Sequence, residues 1–291
     1  MLARTAYDAF ARAYDDYTAD YAYDRWLGAV AEIAGELGMR GRDALDAACG
    51  TGNSSLPLVE QGFDVTACDL SPAMVAAARQ KLPDPRHVGV ADMRALPFSE
   101  RFDLATCLDD GINYLTGAAD LNLAMDRLAA ALRPGGVLAF DVNTLGTLRA
   151  AYSGDETLEL GDWRYRWHGR TPPDLAPGAV AASTLQISRR RRARRGWAWC
   201  PESVGLHRQA HHGEERIRDA LAAAGMDVVA VFGQSPGVVL SGHLDEHSHT
   251  KALYFARRRR RRPPRPPPRS DRRRPFDHRK GGAQRAHPPV D

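Results

Sequence analysis

The feature that most constrains this chain is a tight glycine-rich turn, DAACGTGN, running from Asp46 to Asn53. It follows an apolar, strand-like run and precedes a helical one. Small residues at Ala48, Gly50 and Gly52 let the backbone reverse sharply and approach a ligand closely. Such a turn belongs where a parallel strand feeds a helix, and the surrounding pattern agrees. Short apolar runs at 44–48, 64–69, 86–90, 102–108 and 136–142 read as strands. Helical segments lie between them, one after Gly52, one after Ser71–Pro72 and one over 119–132. Ser71 has the chemistry of an N-cap, and Pro72 suits the first helical position. Pro134–Gly135–Gly136 ends the last of these helices. Strand–helix alternation of this kind predicts a doubly wound, mostly parallel α/β sheet. Runs at 227–232 and 251–256 bring the expected count to seven strands, with a helix at 214–224 closed by Gly225.

Two segments stand outside that rhythm. From Asn143 to about Gly213 the runs at 157–160, 163–167, 180–188 and 197–206 are rich in β-branched and aromatic residues. They read as a small antiparallel sheet, at about 150–213, inserted after the fifth parallel strand. Before the first strand, Tyr7, Phe10, Tyr14, Tyr17 and Tyr21 recur at helical spacing within a pair of helices spanning 7–37. The expected folded unit is therefore residues 1–256. Residues 257–291 form an Arg/Pro-rich tail expected to be disordered and dispensable, because such a composition cannot bury a core.

The charge divides along the same line. The net charge of +4 combines a tail holding 14 Lys and Arg against 3 Asp and Glu with a body holding 26 against 33. The body is acidic, so the basic isoelectric point says nothing about its site. No run of apolar residues is long enough to span a bilayer, and the polar, acidic N-terminus has no signal-like core. The expected location is the cytoplasm. Cys49, Cys68, Cys107 and Cys200 show no paired ligand spacing and read as small, reduced core residues rather than a metal site.

Carboxylates give the turn its chemistry. Asp46 lies within it, Asp69 ends the second strand 17 positions beyond Gly52, and Asp92 follows the third. Three carboxylates thus stand at the carboxyl ends of three consecutive strands, where open α/β sheets bind ligands. An acid at Asp69 can accept from both hydroxyls of a ribose, and one at Asp92 can meet an exocyclic amine. No Lys or Arg occupies the turn, so a phosphate fits poorly. A cationic, phosphate-free nucleoside fits better, and S-adenosylmethionine is such a ligand.

The series DAACGTG, VTACDLS, VADMR, FDLATCLDDGINYL and LRPGGVLAFDVN resembles the class I S-adenosylmethionine-dependent methyltransferases. The likeness covers roughly residues 7–256. It is nearest to bacterial small-molecule members such as the amino-sugar N-methyltransferases, which also insert an antiparallel sheet late in the fold. The resemblance implies a Rossmann-like fold and methylation of a nitrogen or oxygen on a small molecule. It also implies that Asp46, Ala48, Gly50 and Gly52 line the methionine part of the cofactor, with Ala48 where many members carry glycine. Asp69 would bind the ribose, with Leu70 and Met74 near the adenine and Asp92 and Met93 framing it. Leu108 and Asp109 would sit near the methyl group, and Tyr14 on the N-terminal helix would close over the cofactor.

Methyl transfer from a sulfonium is largely a matter of proximity and alignment, and a base is needed only for a protonated acceptor. The candidates for substrate contact are Asp109, Asp110, Asn113 and Tyr114. The plainer alternative is that Asp110 or Asn113 caps the next helix and Tyr114 packs on it. The aromatic stripe on the first helix is equally explained as core. His243, His247 and His249 lack a ligand pattern and read as loop residues. Arg189 to Arg195 read as an exposed hairpin loop. Two other functions remain open: a nucleic-acid methyltransferase gripping through that loop or the tail, and a non-catalytic nucleoside-binding protein. Neither the acceptor nor the oligomeric state is legible.

Overall fold

A computed structural model describes residues 2–260; the tail read in the sequence lies almost entirely outside them. Helix α1 (Leu2–Tyr17) and helix α2 (Tyr23–Glu36) come first. Strand β1 (Asp43–Ala47) follows, then α3 (Ser55–Glu60), β2 (Asp64–Asp69), α4 (Pro72–Lys81) and β3 (Val88–Val90). Next come β4 (Phe102–Cys107), α5 (Ala118–Ala131), β5 (Leu132–Asn143) and α6 (Leu145–Ser153). A second group of strands is β6 (Asp155–Leu160), β7 (Trp163–Gly169), β8 (Val180–Ala193) and β9 (Gly196–Ala210). The described chain ends with α7 (Glu214–Ala223), β10 (Met226–Ser235), β11 (Val239–Ser241) and β12 (Lys251–Arg258).

The first sheet has eight strands in the order β11-β10-β12-β5-β4-β1-β2-β3. Strands β5, β4, β1, β2 and β3 pair in parallel, and β12 pairs antiparallel with both β5 and β10. The expected count of seven is corrected by β11, a three-residue strand pairing antiparallel with the end of β10. It is too short to carry a periodicity of its own. Strands β6 to β9 make a separate antiparallel sheet in sequence order. Strand order reverses at β1, which lies between β4 and β2, so the crevice for a ligand opens at the carboxyl end of β1.

Local sequence accounts for most of these elements. Ser71 caps α4, its hydroxyl accepting from Met74 N at 3.2 Å with Pro72 at the first turn. The central strands are apolar on both faces because both are covered. One core packs Leu45, Phe102, Phe140 and Tyr254 against α5 and α7, and the other packs Leu27, Val30, Leu104 and Phe255 under α2. Of the four cysteines read as core, Cys49, Cys68 and Cys107 are buried, whereas Cys200 on β9 is only partly buried.

Some boundaries differ from expectation. The run at 86–90 shortens to Val88–Val90 because Pro85–His87 forms a 3-10 turn. Helix α6 was not anticipated; Thr144 caps it by accepting from Thr147 N. The segment read as a hairpin loop at Arg189 to Arg195 is mostly strand. The β8–β9 ladder continues to Ala193 and Gly196, leaving Arg194 and Arg195 as the turn. Arginine stems tolerate that extension because their guanidinium groups stay in water. Strand β12 runs two residues past Ala256.

Helix α1 lies against the antiparallel sheet. Phe10 and Ala13 pack with Trp163, Tyr165, Leu185 and Ile187. Tyr165 donates to Ala13 O at 2.8 Å, and Ser203 donates to Ala9 O at 3.1 Å. The small sheet thereby fixes the helix that covers the mouth of the large one.

Candidate active site

A cavity of about 330 Å³ opens at the carboxyl ends of β1, β2, β3 and β4. Its floor is the glycine turn. Ala48, Gly50 and Gly52 all have positive φ, at 58°, 54° and 88°. Glycine adopts this conformation at no steric cost, whereas Ala48 carries a penalty of about 1–2 kcal/mol. The turn is tied down by Cys49 N donating to Cys68 O at 3.0 Å and Gly52 N donating to Cys49 O at 2.9 Å.

Three aspartates were expected to share the ligand, and they divide into different jobs. Asp69 lines the cavity and accepts from Gly50 N at 3.0 Å and Ser71 N at 2.8 Å, which joins the turn to the end of β2. Burial pushes its carboxyl above the usual range, against the pull of those two amides. Asp92 also lines the cavity. The Arg94 guanidinium, 2.6 Å away, holds its carboxyl below the usual range, and Arg94 reaches Asp120 at 2.8 Å as well. Asp46 is fully buried and outside the cavity lining. It accepts from Ser54 and Ser55 at 2.6 Å and from Thr106 at 2.9 Å, pinning the turn to α3 and β4. Gly52 and Met74 are likewise outside the lining: Gly52 packs against Ala78, and Met74 is fully buried. Ala48, Gly50, Leu70, Met93, Leu108, Asp109 and Tyr14 all border the cavity.

Beyond the end of β4, Asp109 and Asp110 both have positive φ, at 62° and 61°. Two successive non-glycine residues of this kind persist only where the surroundings dictate them. Here Asp110 N donates to Asp141 Oδ2 at 3.0 Å, and Asn143 Nδ2 donates to Asp110 Oδ2 at 2.9 Å. The Lys251 ammonium lies 2.9 Å from both Asp109 and Asp141. Burial alone would lower the lysine, but Asp109, Asp141 and Asp110 hold it well above its usual value. Burial, with Asp109 and Asp141 adding to it and Lys251 opposing, pushes Asp110 up to about 7. Tyr14 and Tyr23 donate to the other oxygen of Asp109 at 3.1 and 3.2 Å.

Of the other candidates, Tyr114 borders the cavity and Asn113 does not. Asn113 is buried, donating to Ala210 O and accepting from Asn143 N, both at 2.9 Å, so it staples β5 to β9. Tyr114 meets Tyr7 at 3.1 Å and His207 at 2.8 Å. Sequence reading missed Tyr23, Lys251, Asp141 and His207. Their only signal was residue type, since each partner lies tens of residues away or more. Among the described residues, no group of three or more His, Cys, Asp or Glu is arranged to hold a metal ion. No described helix is long and apolar enough to cross a membrane.

The site residues fit the cationic nucleoside expected from the sequence. The turn presents Ala48 and Gly50 to the cavity. Acids stand at the second and third strands, and the turn carries no basic side chain.

Comparison with known proteins gives the same picture. Residues 44–136 match the model of a methyltransferase domain. A malonyl-[acyl-carrier protein] O-methyltransferase of Pseudescherichia vulneris is 34% identical over 187 residues, covering 58% of this chain and 71% of the relative. A dTDP-3-amino-3,6-dideoxy-α-D-glucopyranose N,N-dimethyltransferase of Streptomyces fradiae is 34% identical over 165 residues, covering 56% and 54%. The chain spans little more than half the length of the first curated relatives it matches. A crystal structure of an S-adenosylmethionine-dependent methyltransferase from Clostridium acetobutylicum shares the fold at a TM-score of 0.69 and 24% identity, covering 87% of this chain and 99% of that one. The motif order, the switch-point cavity with its acids and these likenesses converge: the chain belongs to the S-adenosylmethionine-dependent methyltransferases.

Proposed function

We propose that this protein transfers a methyl group from S-adenosylmethionine to a nitrogen or oxygen of a small-molecule acceptor. The observation that carries this reading is the pairing of the glycine turn with Asp69, both bordering one cavity that Asp109, Tyr7 and Tyr114 also line. Asp69 would hold the ribose, Asp92 and Met93 the adenine, and Ala48, Gly50 and Leu108 the methionine end. When bound, the cofactor supplies a methyl group already activated on a sulfonium. The protein's own contribution is to align the acceptor and keep water out. Tyr7 and Tyr14 border the cavity from α1, and Tyr114 borders it from the segment after β4.

Residues 1–256 would act as one methyltransferase domain, with the antiparallel sheet on the acceptor side and the tail dispensable. Strand β9 lends Arg208 to the cavity lining, and its His207 meets Tyr114 at 2.8 Å, which supports that role for the sheet. The kinship with both an O-methyltransferase and an amino-sugar N,N-dimethyltransferase supports a nitrogen or oxygen acceptor. A nucleic-acid acceptor draws only on Arg189–Arg195 and the tail, and none of Arg189–Arg195 borders the cavity.

Calorimetry with S-adenosylmethionine and S-adenosylhomocysteine tests the cofactor. Binding by the intact chain, weakened at least about tenfold by Asp69→Ala, is expected. Absence of binding would sink the proposal. A panel of amines and alcohols, read by S-adenosylhomocysteine release, then tests the acceptor class. Tight binding with no turnover on any of them would favour a non-catalytic protein.

A further inference from the structure

The charged side chains bordering the cavity are nearly all engaged. Arg94 is held between Asp92 and Asp120, and Asp109 is held by Lys251. Asp69 accepts from the Gly50 and Ser71 amides. Arg4 lies 3.6 Å from Asp8 in an exposed pair, where water screens the attraction and leaves most of the charge available. Arg208 on β9 is the exception. It is exposed at the cavity border, and among the described residues its side chain has neither an ion pair nor a hydrogen bond.

An unpaired arginine on an open surface is ordinary. The place of this one is not. Arg208 follows His207, whose ring stands 5.6 Å from Tyr7 and whose Nδ1 lies 2.8 Å from the Tyr114 oxygen. Arg4 lies one helical turn before Tyr7 on α1. Two guanidinium groups therefore border the cavity from the seam between α1 and β9, on the side of Tyr7 and Tyr114, to which no part of the cofactor is assigned. S-adenosylmethionine carries a net positive charge and gains nothing from a cation there. The planar fork of an arginine instead matches the paired oxygens of a carboxylate or a phosphate.

We propose that Arg208, seconded by Arg4, is the specificity-determining contact for an anionic group on the acceptor, a carboxylate or a phosphate carried apart from the nitrogen or oxygen that is methylated. The substrate class is thus an amine or alcohol bearing a negative charge. A neutral analogue of the same shape enters the cavity but is held less tightly. This inference rests on the methyltransferase reading above and narrows its acceptor.

The first measurement needs no acceptor. The full chain, loaded with S-adenosylhomocysteine, is treated with phenylglyoxal, and each arginine is followed by peptide mass spectrometry. Arg166, exposed on β7 and outside the cavity lining, is the internal control. Without added anion Arg208 is expected to react about as fast as Arg166. Methyl phosphate or acetate should slow Arg208 at least about fivefold more than Arg166, and whichever protects identifies the anion. Trimethyl phosphate, which is neutral, should protect neither. Equal protection of the two arginines, or an Arg208 inert from the start, overturns the proposal. Protection of Arg208 by S-adenosylhomocysteine alone would assign it to the cofactor carboxylate and overturns the proposal too. Failure of S-adenosylhomocysteine to bind would overturn the methyltransferase reading instead. Arg208→Gln should leave S-adenosylhomocysteine affinity within about twofold of the parent. On any charged acceptor that the panel yields, Arg208→Gln should raise the acceptor KM about tenfold with kcat changed less than about twofold. Arg208→Lys should recover part of the loss, and Arg4→Gln should lose less, because Asp8 already takes part of that charge. Equal losses on anionic and neutral acceptors count against it.

Discussion

Lys251 Nζ stands 2.9 Å from an oxygen of Asp141, a carboxylate with no solvent exposure whose other oxygen has no hydrogen-bond partner among the described residues. The same ammonium reaches Asp109 at the cavity edge. A cation on the last strand therefore governs the geometry of a loop 142 residues earlier. Lys251→Met should leave Asp141 buried and uncompensated and cost about 3–5 kcal/mol in chemical denaturation. Adding Asp141→Asn should return part of that loss. A single variant as stable as the parent would show that the pair contributes nothing net.

Asp110 sets a pH dependence. Its folded value, pushed up to about 7 by burial, lies above that of an unfolded aspartate. The native state therefore binds this proton more tightly than the unfolded state, and the stability so gained is fully present only below the unfolded value and fades as pH rises toward about 7. Asp109, Asp141, Lys251, Asn143 and Gln209 face it and are unaltered by Asp110→Asn. That variant should flatten the fall in urea midpoint between pH 5 and pH 8 relative to the parent. An unchanged slope would assign the dependence elsewhere.

Ala48 is the position where a smaller residue should help. With φ at 58° it holds a conformation that glycine takes freely. Ala48→Gly should stabilise the protein by about 0.5–1 kcal/mol, the relief of strain exceeding the added entropy of the unfolded chain. Thermal unfolding checks the sign.

Asp46 should behave as a structural residue. Asp46→Ala strips the hydroxyls of Ser54 and Ser55 of their acceptor and leaves Thr106 with only the longer contact to Leu45 O at 3.4 Å. A stability loss of about 2 kcal/mol or more is expected, seen without any ligand present. Asp92→Ala, by contrast, removes a half-buried carboxylate at the cavity edge and should weaken cofactor binding with a smaller effect on folding.

Much of this was legible in the sequence because it is local. The Ser71 cap, the alternation of β1 to β5 with helices and the aromatic stripe on α1 each depend on residues within a turn or two of one another. The role of Asp46 was not legible. Its place in a glycine turn suits a ligand contact as well as a structural pin, and only the burial of Ser54, Ser55 and Thr106 around it decides between them. The grouping of Lys251 with Asp109 and Asp141, or of His207 with Tyr114, depends on which strands become neighbours. Antiparallel insertion of β12 beside β5 produces the first grouping, and β9 reaching the end of β4 produces the second. No spacing in the chain announces either.

The Gly50 and Ser71 amides that hold Asp69 have a further consequence. Each takes one oxygen of the carboxylate, and each oxygen keeps a second lone pair. The group is thus held in direction by the fold itself, with its two oxygens side by side, the spacing that a vicinal diol matches. A ribose held there, as proposed, would meet a carboxylate already set by the fold, so the free energy of that contact would go into affinity instead of into ordering the receptor.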